Sequence, residues 1–223
     1  MFARKHLAEC DSTNAVALTW ADNGAPHKSL VTCDSQTHGK GRGGRIWSHY
    51  LGGLACSFIL RPKIEIHQVS QITLVTAAAL LQAFESLHLN ALVKWPNDLL
   101  LPDSRKFAGI LTEAHSTANI IDVVIVGIGL NVQRLVGSPP EYGFLSDIGY
   151  MGNKSDLLES ILDSLEFHFD HLDRAGHFSF CLNYLKGRSA TLGKAVAGGI
   201  ALDFNSDGSL LVQDAQGKVS TLY

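Results

Sequence analysis

The absences in this sequence narrow its class before any motif is read. No apolar run reaches the ~18 residues of a membrane span. The longest, Ile120–Ile128, is broken by Asp122 and flanked by glycine. The opening residues Met1-Phe2-Ala3-Arg4-Lys5-His6 lead into Glu9 and Asp11 without the apolar centre of a secretory leader, so a cytoplasmic protein is expected. Cys10, Cys33, Cys56 and Cys181 show no CxxC spacing and read as reduced, buried thiols rather than a disulfide framework. Repeats, low-complexity stretches and Pro- or Ser-rich linkers are missing too. An excess of positive charge is also lacking: 18 cations face 21 anions, a balance of −3, and a surface that coats nucleic acid is usually strongly basic.

What is present is a buriable chain of 223 residues, 46% hydrophobic and 17% charged. One window departs from the overall balance. Gly39-Lys40-Gly41-Arg42-Gly43-Gly44-Arg45 gathers three cations and four glycines with no acid. It matches GxGxxG, yet it lies some residues past the strand-like Ser29–Cys33 and runs towards Trp47 and another strand, not into a helix. Arg45-Ile46 follows Gly44 where a Walker loop needs Lys-Ser/Thr. Glycines let backbone wrap a ligand closely, and each cation that meets phosphate or carboxylate adds a charge-assisted bond of about 1.5–3 kcal/mol. The loop therefore points to a small anion; a solvated turn is the other reading.

Apolar spacing of three and four predicts helices at Val69–Leu89 and Ser155–Leu172, and a short one around Phe178–Leu185 stopped by Gly187. A further helix follows Asp11-Ser12-Thr13-Asn14 and ends at Asn23-Gly24. Strands are expected at Ser29–Cys33, Leu54–Leu60, Ala91–Trp95, Phe107–Ala114 and Ile120–Ile128. Several adjoin with only turns between them, which favours an α+β fold: a mixed or antiparallel sheet with helices on one face. After Gly187, short β-like runs separated by Asn205-Ser206-Asp207-Gly208 and Asp214-Ala215-Gln216-Gly217 read as a small β module. The division expected is 1–178 and 179–223. His168, His171 and His177 are read as a solvated helix face, since no fixed ligand spacing joins them.

The loop belongs to a larger constellation. Asp11-Ser12-Thr13-Asn14 precedes it, Gln36 and Thr37 lead into it, and Trp47 follows. Downstream come Lys94-Trp95-Pro96-Asn97-Asp98, then Lys106-Phe107-Ala108-Gly109-Ile110-Leu111-Thr112-Glu113, then Gly127-Ile128-Gly129-Leu130-Asn131-Val132. In this order and spacing the set resembles the biotin protein ligases. The resemblance implies a class II synthetase-like catalytic domain with a small SH3-like C-terminal module, here shortened. It implies an ATP-dependent, AMP-forming ligase. Such an enzyme converts biotin to biotinyl-5′-AMP, then passes biotin to a lysine of the biotin carboxyl carrier protein of acetyl-CoA carboxylase.

By the same resemblance Ser12, Thr13, Asn14, Gln36, Lys40, Gly41, Arg42 and Lys106 would contact biotin. Arg42, Arg45, Lys94, Asn97, Lys106, Gly127, Gly129 and Asn131 would contact ATP or the adenylate. Lys106, Arg42 and Asp98 would serve catalysis, Asp98 as a partner for the incoming lysine amine. Mg²⁺ would be held by ATP phosphates and water, so no metal ligand is assigned in the chain. Structural readings stay open beside these: N-capping for Ser12-Thr13-Asn14, a turn for Pro96-Asn97-Asp98, strand-end kinks for Gly127 and Gly129. Three departures stand out: Lys40 where arginine is common, Gly43 where a larger residue is common, and His49-Tyr50 where Ser-Pro is usual. Phe144 is a candidate for stacking on adenine or for plain packing. The match begins at Asp11, so no N-terminal DNA-binding domain and no operator binding are expected. No membrane partner is expected either, and the oligomeric state is left open. A lipoate or other acyl ligase of the same superfamily, a non-catalytic biotin-binding module and a single-strand nucleic-acid binder are the alternatives.

Overall fold

The computed structural model describes residues 2–48, 50–117 and 120–223, with side chains at 117 and 120 set aside. The chain opens with β1 (Ala3–Cys10), α1 (Thr13–Asp22), β2 (Ser29–Gln36), β3 (Leu54–Leu60) and α2 (Val69–Ser86). It continues through β4 (Leu92–Lys94), β5 (Asp98–Leu100), β6 (Lys106–Thr117) and β7 (Ile120–Leu130). Helices α3 (Lys154–Phe169) and α4 (His177–Lys186) follow, then β8 (Ala195–Val196), β9 (Gly199–Phe204), β10 (Leu210–Asp214) and β11 (Val219–Leu222).

Seven strands form one sheet in the order β1-β2-β3-β7-β6-β5-β4, and the last four form a separate antiparallel sheet. Only β1 and β2 pair in parallel within the large sheet. A parallel pair needs a crossover, and α1 supplies it. The class is the α+β arrangement expected, with one difference in layering. Helices α2, α3 and α4 cover one face, whereas α1 packs on the other against Val31, Ile59, Val123 and Ile125.

Strand β3 shows why both faces need cover: all seven of its residues are buried. Cys56, Phe58 and Leu60 face the three helices, while Ile59 lies against α1. Side chains alternate along a strand, so Ala55 and Ser57 share the α1 side with Ile59. The same alternation sends Val124, Val126, Ile128 and Leu130 of β7 to the helical face and leaves Gly127 and Gly129 with Val123 and Ile125 on the other.

Helix α2 carries eleven buried residues, among them Leu74, Ala77, Leu80, Leu81 and Phe84. Its alanines let the backbone approach the sheet, and Phe84 meets Phe107 with ring centroids 5.6 Å apart. Helix α4 spans the boundary placed at 178/179 and buries Cys181, Leu182 and Leu185 in the large core. The small sheet is joined to the rest by Trp95, whose indole N–H donates to Gly208 O at 2.9 Å, and by the Lys186–Asp203 ion pair at 2.7 Å. Cys33, Cys56 and Cys181 are buried free thiols and Cys10 is half-buried. Among the described residues no helix is long and apolar enough to cross a membrane.

Candidate active site

Two rows made mostly of small residues run across the middle of the sheet on the α1 side. Ser57 pairs with Gly127, and Gly127 with Leu111; Ala55 pairs with Gly129, and Gly129 with Gly109. The rows make a floor low enough for two large side chains from elsewhere. A Cβ at Gly127 would overlap Asn14 Oδ1, and one at Gly129 would overlap the Trp47 indole.

Above the first row, the start of α1 supplies a hydrogen-bonded cluster. Ser12, Thr13 and Asn14 are all buried. Ser12 occupies the N-cap position but makes no side-chain capping bond. Gln36, from the end of β2, performs that service: its Oε1 accepts from the Thr13 backbone N–H at 2.7 Å and from the Thr13 hydroxyl at 3.1 Å. Asn14 Nδ2 donates to Glu113 Oε2 at 2.6 Å, which fixes the amide so that its Oδ1 faces Ser57 Oγ, 2.6 Å away. Ser57 Oγ also lies 2.7 Å from Thr13 Oγ1. The N-capping expected of the Ser12 side chain is thus not made, and Thr13 and Asn14 are tied instead to Gln36, Ser57 and Glu113.

Above the second row sits the basic loop. It closes on itself as a small hairpin: Gly41 N–H donates to Arg45 O at 2.7 Å, and Trp47 N–H to Gly39 O at 2.8 Å. Gly43 has φ of 67° and Gly44 of 75°, in the left-handed region where a side chain is strained. That accounts for the small residue at 43. Arg45 Nε donates to Arg42 O at 3.0 Å, bracing the turn from within. His49 lies outside the described residues. Tyr50 packs its ring 5.8 Å from Tyr142 and 6.0 Å from Phe144.

Lys106 enters from the start of β6. Its Nζ lies 2.6 Å from Asp98 Oδ1 and 5.3 Å from the centre of a Trp47 ring. The backbone behind it is held by the segment after β7, since Gly143 N–H donates to Lys106 O at 2.8 Å. That segment is braced by Arg134, which donates from Nε and Nη2 to both oxygens of Asp147 at 2.7 and 2.8 Å. Arg105 adds a contact to Asp147 at 2.8 Å. The Arg134 guanidinium holds the Asp147 carboxyl below the usual carboxylate range, ahead of the opposing effect of burial.

These parts enclose a cavity of about 260 Å³. Ser12, Thr13, Asn14, Gln36, Lys40, Gly41, Arg42, Arg45, Asn97, Asp98, Lys106, Gly127 and Gly129 all line it. Two expected residues do not. Lys94 is exposed on β4, and Asn131 is buried with its side-chain amide donating to Gly143 O at 3.2 Å. Phe144 is wholly buried beneath Arg134, so its ring packs in the interior rather than lining the cavity. Asn97 Nδ2 donates to Ile110 O at 3.0 Å; the turn offered for Pro96-Asn97-Asp98 falls at residues 95–97, and Asp98 begins β5.

Sequence reasoning missed Ser57 and gave Trp47 no role. Ser57 had a signal, as the polar residue among Ala55 and Ile59 on a fully buried strand. A second cavity, of about 540 Å³, shares Arg42, Asn97, Ile110 and Leu111 with the first and reaches Trp95, Leu74, Gly208 and Tyr223 beside the small sheet.

The histidines contradict the solvated-face reading. His168 and His177 are buried, and burial with the neighbouring imidazoles pushes His168 down to about 4. The turn after α3 folds α4 back over its end, so His168, in the last turn of α3, is covered rather than wet.

Comparison with known proteins agrees with the fold and with the motifs around this cavity. A family model described as the biotin/lipoate A/B protein ligase family matches residues 7–131. The chain is 30% identical over 233 residues to a biotin–[acetyl-CoA-carboxylase] ligase of Paracoccus denitrificans, covering 95% of each. It is 41% identical over 125 residues to the bifunctional ligase/repressor BirA of Bacillus spizizenii, covering 55% of this chain and 38% of that relative. The chain thus spans well under half the length of that relative and of its Bacillus subtilis counterpart, of which 40% is covered. Among solved structures, biotin protein ligase from Aquifex aeolicus in complex with biotin and ATP superposes with a TM-score of 0.83 at 26% identity, covering 100% of this chain and 96% of that one. With the family model matching more than half of this chain and a relative aligned over 95% of each sequence, this chain belongs to the biotin/lipoate A/B protein ligase family.

Proposed function

We propose that this chain is a biotin protein ligase that forms biotinyl-5′-AMP and transfers biotin to a lysine of the biotin carboxyl carrier protein of acetyl-CoA carboxylase. The observation that carries the reading is one cavity with two chemically distinct ends. At one end Thr13, Asn14 and Gln36 line it with hydroxyls and amides in fixed directions, Thr13 and Asn14 being held from behind by the buried Ser57. That is the partner set a ureido ring needs, and it is ordered before the ligand arrives. At the other end Lys40, Arg42, Arg45 and Lys106 line the wall with a single paired carboxylate among them.

The first step joins two anions. A carboxylate oxygen of biotin attacks the α-phosphorus of ATP, the bond to the β-phosphate oxygen breaks, and pyrophosphate leaves with its electron pair. The carboxylate is already ionised near neutral pH, so the step needs no base. Its obstacle is repulsion, and fixed cations lower it; losing one such group typically costs ~10²–10³ in rate. Lys106 stands against Trp47 and Asp98, where its ammonium is oriented without being neutralised by several acids. Lys40 and Arg42 cover the phosphates from the loop, and Arg45 braces them.

In the second step a carrier lysine amine attacks the acyl carbon and AMP departs. The amine must shed a proton, and Asp98 Oδ1 is the acceptor once Lys106 has turned to phosphate. The second cavity, walled by Trp95 and the small sheet, is where the carrier segment would approach. Among the described residues Asp98 is the one carboxylate lining the reaction cavity, and it is engaged by Lys106. The donors present therefore do not form an oxygen cage for a divalent ion; Mg²⁺ fits this site as part of the ATP complex, and no step here runs through it. A cytoplasmic location goes with this reading.

The polar cluster favours biotin over lipoate, whose dithiolane offers no amide to recognise. Incubating the chain with labelled biotin, ATP and a carrier domain should label one lysine of the carrier and release pyrophosphate and AMP. Labelling by lipoate in preference to biotin would reassign the substrate; biotin binding with no pyrophosphate release would make the chain a binding module.

A further inference from the structure

On the far side of the sheet from the cavity, three soft ligand atoms converge in the interior. His168, from the last turn of α3, presents Nδ1; His177 and Cys181, four residues apart on one face of α4, present Nε2 and Sγ. His168 Nδ1 lies 3.2 Å from His177 Nε2 and 3.4 Å from Cys181 Sγ, and Cys181 Sγ lies 3.7 Å from His177 Nε2. For zinc, with bonds of about 2.05 Å to nitrogen and 2.3 Å to sulfur, a tetrahedron has N···N edges of about 3.3 Å and N···S edges of about 3.6 Å. The three separations found are those of one tetrahedral face.

The surroundings prepare the same face. His168 Nε2 lies 3.0 Å from Gln82 Oε1 on α2. A carbonyl oxygen takes the N–H, so the lone pair of this imidazole sits on Nδ1 and points at the other two groups. His168 and Cys181 are wholly buried and His177 nearly so, which shields the three ligand atoms from bulk solvent. The rings of Phe167 and Phe180 stand beside His177 with centroids 6.1 and 6.4 Å away. His171 Nδ1 is engaged with Phe167 O at 2.6 Å, and among the described residues no fourth histidine, cysteine or carboxylate joins the group.

We propose that His168, His177 and Cys181 bind one zinc-class divalent cation, with water completing the tetrahedron, and that the ion clasps α3 to α4. Binding forms two metal–nitrogen bonds and one metal–sulfur bond and expels the Cys181 thiol proton to solvent. No electron changes hands. The site shares no residue with the reaction cavity, so it serves the fold rather than the chemistry. Its role is to hold the turn between α3 and α4, where the connection 170–176 has little apolar packing of its own.

Cobalt(II) tests this directly, because a cobalt–thiolate bond gives a near-ultraviolet charge-transfer band. The metal-free chain should take up one Co²⁺ with that band, and Zn²⁺ should displace it. Cys181→Ala and His177→Gln should each abolish the band, while Cys10→Ala and Cys33→Ala leave it in place. Zn²⁺ at about a hundredfold excess over Kd should raise the Tm of the wild-type chain by about 5 °C, reversed by a chelator and absent in Cys181→Ala. A wild-type chain that binds no Co²⁺, or a band that survives Cys181→Ala, overturns the site. Should Cys181→Ala fail to fold, native mass spectrometry of the wild-type chain with Zn²⁺ decides, one bound ion supporting the proposal and none refuting it.

Discussion

The two faces of the large sheet are built from the same strands and do different work. On the helical side, β3 and β7 present Phe58, Leu60, Val126 and Leu130 to α2 and its neighbours, and the packing is continuous and apolar. On the α1 side the alternate residues are Ala55, Ser57, Gly127 and Gly129, small enough that Asn14 and Trp47 lie directly over backbone. One face buries volume for stability; the other gives up side-chain volume to make a recess with fixed polar groups. Alternation along a strand permits this division, because each strand contributes to both faces independently.

Substitutions on the two faces should therefore separate stability from activity. The largest effect belongs to the helical face. Phe84→Ala should cost about 3–5 kcal/mol in denaturant unfolding. Biotin affinity should be unchanged while the protein is folded; a loss under ~1 kcal/mol would mean that the apolar face is less tightly packed than described. Lys106→Ala should slow biotin-dependent pyrophosphate release by about 10²–10³-fold with little change in Tm. Comparable losses in stability and rate would erase the contrast.

Gly129→Ala probes the floor itself. The new methyl displaces Trp47, so the KM for biotin should rise about tenfold while the melting point falls little. The smallest effect concerns the brace behind Lys106. Asp147 has its folded pKa depressed by Arg134, so it contributes stability above the unfolded carboxylate value near 4, which is lost as pH falls below it. Between about pH 5 and pH 3 the wild-type chain should lose of order 1 kcal/mol more than Asp147→Asn. Identical acid profiles would remove that role.

Much of the helical face was legible in the sequence, because its signal is periodic. The stripes at Val69–Leu89 and Ser155–Leu172 lie on α2 and α3, and Leu54–Leu60 coincides with β3. Strand β1 was missed because it is an edge strand with Arg4, Lys5 and His6 exposed, so it carries no apolar alternation. Strand β5 was not predicted, its three residues being too few to show a period. The site was legible as motifs but not as an arrangement. Nothing local announces that Ser57 meets Asn14 across 43 residues, or that Trp47 lies over Gly129. His168 and His177 were misjudged for the same reason: the fold-back of α4, not the spacing, buries them.

The central claim is that the recess on the α1 face activates biotin with ATP. Its most direct measurement is exchange of labelled pyrophosphate into ATP, which reports the first step alone and needs no carrier. Exchange should require biotin, should not be supported by lipoate, and should fall by about 10²-fold or more in Lys106→Ala. Exchange that proceeds without biotin, or at an unchanged rate in Lys106→Ala, would contradict it.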